Sequence, residues 1–246
     1  MLIKIDSDFS TDVIERGTIT LINGIEKPYV IRLLNTDDLT DIMILQDSIL
    51  KNLGLSELAV ALTNDELSFI LDGNGDSLGT FISGELRACC SLLWNVPDNI
   101  NMAKELGFDA YSLSQVEQFE MALVHSDLRG HKMQQKLATI LIERSKITHQ
   151  KRYLFTTVSP HNFPSIQTIT SLGLNIVKLT KMYNNWNRYI AYKDFSYEQL
   201  LDKSQVVEVL NTDYTKQKHL LENGYRGFSL KKDKNNNIII LFSKII

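Results

Sequence analysis

The chain has 246 residues, 43% of them hydrophobic and 22% charged, with a formal net charge of -3. That length suits one large domain with small additions, and the charge balance excludes a global basic field of the kind that draws nucleic acid or an anionic membrane. Two adjacent cysteines, Cys89 and Cys90, lie in an apolar run, which excludes a disulfide scaffold and a Cys-rich metal site and predicts small core residues instead.

The N-terminus, "MLIKIDSDF", is alternating and acid-containing, unlike a leader segment, and no apolar run is long enough to span a bilayer. A soluble, cytoplasmic protein is expected. "TITLINGIEKPYVIRLL" holds two alternating runs around Asn23-Gly24 and predicts a hairpin. Thr36-Asp37-Asp38 reads as a helix start, with Leu39, Ile42, Leu45 and Leu50 on one face. A second helix is expected over "TNDELSFILD", then two strands around Ser83-Gly84 and a loop with a short helix in "PDNINMAKELGFD". "QFEMALVH" alternates as a strand. From Lys132 a long helix is predicted to bury Met133, Leu137, Ile140, Leu141 and Ile147, with Glu143 and Arg144 facing out. "RYLFTTV" is a strand, "SPHNFPSIQTITSLG" a loop and helix ending at Gly173, and "NIVKLTKMY" and "RYIAYKDF" a hairpin around "NNWN". A second helix-Gly-hairpin pattern closes the chain, from "DYTKQKHLLENG" to "NIIILFSKII". It predicts a helix and two strands packed on the main domain. The expected division is 1–28 as an N-terminal extension with a strand, 29–195 as the main domain, and 196–246 as a C-terminal helix-hairpin.

The stretch that carries chemistry is "VHSDLRGHKMQ", at the join of strand and long helix. The free N–H groups and dipole of a helix N-terminus favour an anion. Arg129 adds a planar donor fork suited to phosphate, and Gly130 lets the backbone approach closely. His125 and His131 have no metal-ligand spacing and read as solvated loop residues.

The order of elements from Tyr29 to Phe195, with Val124, Arg129 and Gly130 in register and Asn162, Ser165, Leu172 and Gly173 as a second anchor, resembles the GNAT superfamily of acyl-CoA N-acyltransferases. The resemblance implies an α/β (α+β) fold whose central sheet is mixed and mainly antiparallel, flanked by helices. It implies acetyl-CoA as cosubstrate, bound through Leu123, Val124, Arg129, Gly130, His131, Lys132, Met133, Gln134, Asn162 and Ser165. A backbone N–H near Leu123 or Val124, where the strand splays from its neighbour, is implied as the oxyanion donor. Lys132 stands where the first signature glycine is usual. A helical backbone there carries Lys at little cost, whereas positive φ strains it. Ile169 stands where a tyrosine often protonates the departing thiolate. Tyr183 is a second candidate for that acid, and Asn162 serves either the cofactor's arm or its own turn.

Transfer to an amine also needs a base, because an ordinary amine is mostly protonated near neutrality. Glu120 is the candidate: a carboxylate in an apolar strand is costly unless paired with a neighbouring Lys or Arg or put to use. Simple alternation places Phe119, Met121 and Leu123 on one face and Glu120, Ala122 and Val124 on the other. The expected function is acetyl transfer to a primary amine, of a small molecule or a peptide, by direct attack. The alternative is a non-catalytic acyl-CoA-binding module. No metal, nucleic acid or membrane partner is expected, and a homodimer is left open.

Overall fold

The computed structural model describes residues 13–246; the "MLIKIDSDF" segment lies outside them. The first hairpin is β1 (Val13–Thr20) and β2 (Glu26–Leu33). Its turn forms where expected, with Gly24 at φ 79° and the Asn23 side chain accepting from the Ile25 N–H. A single 3-10 turn over Thr36–Asp38, capped by Asn35, leads into α1 (Leu39–Lys51). Asp38 is fixed there by the two arms of the Arg32 guanidinium. A capping box of Thr63 and Glu66 starts α2 (Asn64–Phe69), as its sequence demands. Next come β3 (Gly75–Ile82) and β4 (Glu85–Leu93), joined by Ser83 and Gly84, both at positive φ. Then follow α3 (Ala110–Ser114), β5 (Val116–Val124), α4 (Met133–Thr148), β6 (Tyr153–Val158) and α5 (Phe163–Ser171). After these come β7 (Asn175–Met182), β8 (Trp186–Asp194), β9 (Val207–Leu210), α6 (Tyr214–Glu222), β10 (Tyr225–Lys232) and β11 (Ile238–Lys244).

All eleven described strands form one sheet in the order β1-β2-β3-β4-β5-β6-β8-β7-β10-β11-β9. Every pairing is antiparallel except that of β5 with β6. One face is covered by α1 and α2, which bury Ile42, Leu45 and Leu67 against Cys89, Met121 and Leu123. The other is covered by α4, α5 and α6, whose Leu137, Leu141, Ile166 and Leu221 share a core with Cys90, Phe119 and Tyr189. Both cysteines are free and buried, as their apolar setting predicts. Among the described residues no helix is long and apolar enough to cross a membrane.

Two expectations need correction. Ile147 is 77% exposed rather than core, because the apolar stripe of α4 runs through Leu137 and Leu141 and has turned away by the last turn. Arg144 does not stand free; its Nε donates to Asp76 at 2.9 Å. The C-terminal unit holds helix α6, and its strands β10 and β11 join the main sheet. Gly227 of β10 pairs with Ile176 of β7, so the sheet continues through it, and β9 adds a strand that the sequence pattern does not announce. The unit is also tied in through its side chains. Tyr189 Oη donates to Gln217 at 2.6 Å inside the core, and Asn211 donates to the Pro160 carbonyl at 2.9 Å.

Candidate active site

The site begins with an irregularity in β5. Its register with β4 runs Cys89↔Leu123, Cys90↔Ala122 and Ser91↔Met121, and then jumps to Leu92↔Phe119. Glu120 is the extra residue of a β-bulge. The bulge overturns the simple alternation: Phe119 packs in the core under α4, while Met121 and Leu123 pack under α1. It also bends β5. Pairing with β6 ends at Phe119↔Thr156, where the Thr156 hydroxyl donates to the Phe119 carbonyl at 3.2 Å. Beyond that point the two parallel strands part.

The opening exposes a particular set of backbone groups. The His125 N–H donates to the Arg87 carbonyl at 2.9 Å. Antiparallel strands alternate the direction of their N–H groups. The N–H of Leu123 therefore points to β4, and those of Ala122 and Val124 point into the gap. Of the two backbone N–H groups expected, that of Val124 lies on the side away from β4 and that of Leu123 on the β4 side; the Leu123 side chain is core.

A cavity of about 130 Å³ passes through this gap from one sheet face to the other. On the α4 side its wall includes Gln134, Ala138, Thr168 and Ile169. On the α1 side it includes Glu120, Tyr183, Arg188 and the Leu58–Val60 loop. Glu120 is half-buried, and its Oε1 accepts from Gln118 Nε2 at 2.8 Å. Gln118 is itself held, its Oε1 accepting from the Met102 N–H at 2.6 Å. Burial pushes the Glu120 carboxyl above its ordinary range, against the lowering effect of the Gln118 hydrogen bond and with a further push from Glu66. Among the described residues no Lys or Arg pairs with it; its side-chain partner is Gln118.

The Arg129 loop leads into the N-terminal end of α4, the end that carries Gln134 on the cavity wall. Gly130 is left-handed at φ 84°, and Lys132 caps the helix at φ 53° with no side-chain hydrogen bond to the first turn. The first-turn N–H groups therefore have neither an intrahelical acceptor nor a side-chain cap. Arg129, His131 and Lys132 are exposed. Met133, expected at the cofactor, turns its side chain into the core beside Thr80, so only its backbone can serve the loop. Lys132 takes the strained alternative. Its left-handed backbone is the one that a glycine would hold freely, and a non-glycine residue pays for it.

The second anchor is arranged around α5. Asn162 caps the helix, accepting from the Ser165 N–H at 3.1 Å, and donates to the Leu58 carbonyl at 3.1 Å. Its amide serves its own turn and the loop across the gap. Ser165 is half-buried on the cavity wall. His161 faces the C-terminal unit, bonded to Tyr214 at 3.0 Å.

Comparison with solved structures follows this geometry. NAA60 from Arabidopsis thaliana in complex with acetyl-CoA matches with a TM-score of 0.54 and 14% identity, over 69% of this chain and 99% of that one. An acetyltransferase of the GNAT family from Streptococcus pneumoniae matches at 0.53 and 14%, over 68% and 99%. The chain has the GNAT fold. An N-acetyltransferase from Staphylococcus aureus shares it at 0.51 and 14%, over 69% and 99%. No family model and no curated protein sequence matches the chain.

Two positions bear on the expected general acid. Ile169, where a tyrosine is usual, is 6% exposed and lines the cavity as an apolar wall. Tyr183, from the β7–β8 turn, reaches the same cavity with its hydroxyl 3.0 Å from that of Thr157, and burial raises its pKa. Sequence reasoning missed Arg188. Its only signal is a charge inside the otherwise apolar strand "RYIAY". It also missed the Leu58–Val60 loop, which carries no motif.

Proposed function

We propose that the protein is an acyl-CoA-dependent N-acetyltransferase that acts on a primary amine, carried by the unit spanning 29–195 with extensions on either side. The observation that carries this is the bulge at Glu120. It displaces Glu120 from the β4 ladder just where pairing with β6 ends, and leaves a carboxylate with a burial-raised pKa on the cavity wall. The residues fit acetyl-CoA. Arg129, Lys132 and the open first turn of α4 suit its pyrophosphate, and Gln134, Ser165 and Thr168 line the way to the gap.

Acetyl-CoA supplies the acetyl group as an activated thioester. Glu120 accepts the proton that the acceptor's ammonium must lose before it can attack, and its raised pKa improves it as a base near neutral pH. The Val124 N–H donates to the carbonyl oxygen as negative charge develops there, in a site with little water to compete. Tyr183, its hydroxyl 3.0 Å from that of Thr157 on the cavity wall, is the candidate to return a proton to sulfur. A covalent enzyme intermediate has no support. The Cys90 thiol on the cavity wall is pushed up to about 12 by burial and is not a thiolate at working pH.

A binding-only reading has one observation in its favour, the apolar Ile169 in place of an acid. Thiol release from acetyl-CoA in the presence of an amine panel separates the two. Release that depends on the amine supports transfer. Tight CoA binding by calorimetry with no release supports binding alone, and no CoA binding overturns both.

A further inference from the structure

We propose that the acceptor is a primary amine that also bears a carboxylate, and that Arg188 binds this carboxylate; the proposal rests on the acyltransferase reading above. Arg188 lies on β8 and is only 3% exposed. Its Nε and Nη2 are buried with no hydrogen-bond partner, and it forms no ion pair among the described residues. A guanidinium in that state is costly to keep, yet the fold holds it firmly, over the rings of Tyr183 and Trp186 at 5.4 and 5.6 Å from their centroids. The acidic side chains bearing on it are Tyr183, whose phenol is neutral near pH 7, and Glu57. Glu57 does not neutralise it directly, for its carboxylate stands 3.4 Å from His161 Nε2.

Arg188 shares the cavity wall with Glu120. Alternation along β8 puts it on the same sheet face as Ile190, in the core opposite α4, so both polar groups meet the acceptor rather than the cofactor loop. The two ends therefore differ in sign. A carboxylate receives the amine and a cation waits for an anion. The planar fork of arginine matches a carboxylate in two parallel hydrogen bonds. Glu57, Glu66 and Glu120 face the same region and disfavour a dianionic phosphate. The narrow space admits an extended chain end, such as a free amino acid or the N-terminal residue of a peptide with an acidic side chain.

The test compares kcat/KM within matched pairs. The pairs are 4-aminobutyrate against butylamine, glycine against glycinamide, and a C-terminally amidated peptide starting with Glu against the same peptide starting with Gln. The expected result is a preference of about 10–100-fold for the carboxylate member of at least one pair, the range of a charge-assisted hydrogen bond. The pair showing it identifies the source as free or peptidic. In Arg188→Gln that preference should fall to within about 2-fold through a rise in KM, and Arg188→Lys should keep part of it, since charge remains while the fork is lost. Equal turnover within every pair by the parent protein overturns the proposal, as does a preference that survives in folded Arg188→Gln. If no amine releases thiol, the acyltransferase reading fails by itself. Calorimetry of 4-aminobutyrate, glycine and the Glu peptide with the acetyl-CoA-loaded protein then decides this one. Binding abolished by Arg188→Gln supports it, and no binding, or binding unaffected by the substitution, overturns it.

Discussion

Glu117 is a second carboxylate on β5, and it is fully buried against α4. The Ser145 hydroxyl donates to its Oε2, while Oε1 has no partner. Burial is the main cause that lifts its pKa from an ordinary 4.5 to about 7; the Ser145 hydrogen bond, Lys151 and Lys146 oppose that rise, and Asp76 adds to it. The folded state thus keeps a proton that the unfolded chain gives up. Between pH 4.5 and 7 the unfolded state binds fewer protons, so stability falls as pH rises through this window and levels off above it. At about 1.4 kcal/mol for each tenfold change in proton affinity, the loss approaches about 3 kcal/mol above pH 7, a large part of a typical domain's stability. Glu117→Gln keeps the shape and an acceptor for Ser145 but never ionises. Its unfolding free energy, from urea titrations at pH 5, 6, 7 and 8, should match the parent at pH 5 and exceed it by about 2–3 kcal/mol at pH 8. A difference between the two proteins that does not change with pH would refute the reasoning.

Glu120→Gln should fold, bind acetyl-CoA like the parent and lose roughly 10²–10⁴-fold in turnover, the reach of a general base. Because burial raises the Glu120 pKa, the parent's rate should climb with pH through a limb lying above the ordinary carboxylate range. Steady-state profiles of the variant should lack that limb. Arg129→Ala should weaken CoA binding by about 1.5–3 kcal/mol, as a lost charge-assisted contact does; calorimetry showing unchanged affinity in a folded variant would remove Arg129 from the site. Lys132→Gly should relieve left-handed strain at φ 53° and raise stability by about 0.5–1 kcal/mol, after the extra freedom of the unfolded glycine is counted. A lowered thermal midpoint would contradict this.

What the sequence determined by itself was local. Ser83-Gly84 makes its turn because a two-residue hairpin needs positive φ and both residues take it, while in the longer turn at Asn23-Gly24 only Gly24 does. Met133, Leu137 and Leu141 recur at helical spacing, so α4 and its buried face were legible, and with them the Arg129 loop at its mouth. The fold followed because the order of such elements allows few topologies. Only the tertiary structure decided the face of each residue in β5. The bulge is a matter of register against β4, set by pairs distant in sequence, and one extra residue moves Met121 and Leu123 to the face opposite Phe119. The register with β4 likewise sets the Leu123 N–H toward β4 and the Val124 N–H away from it. Arg188 reads in sequence as one charge in a strand. It becomes a candidate ligand-binding group only because folding buries it beside a cavity with no hydrogen-bond partner among the described residues for Nε and Nη2. Pattern and turn chemistry are written in neighbouring residues; register, burial and the absence of a partner belong to the whole chain.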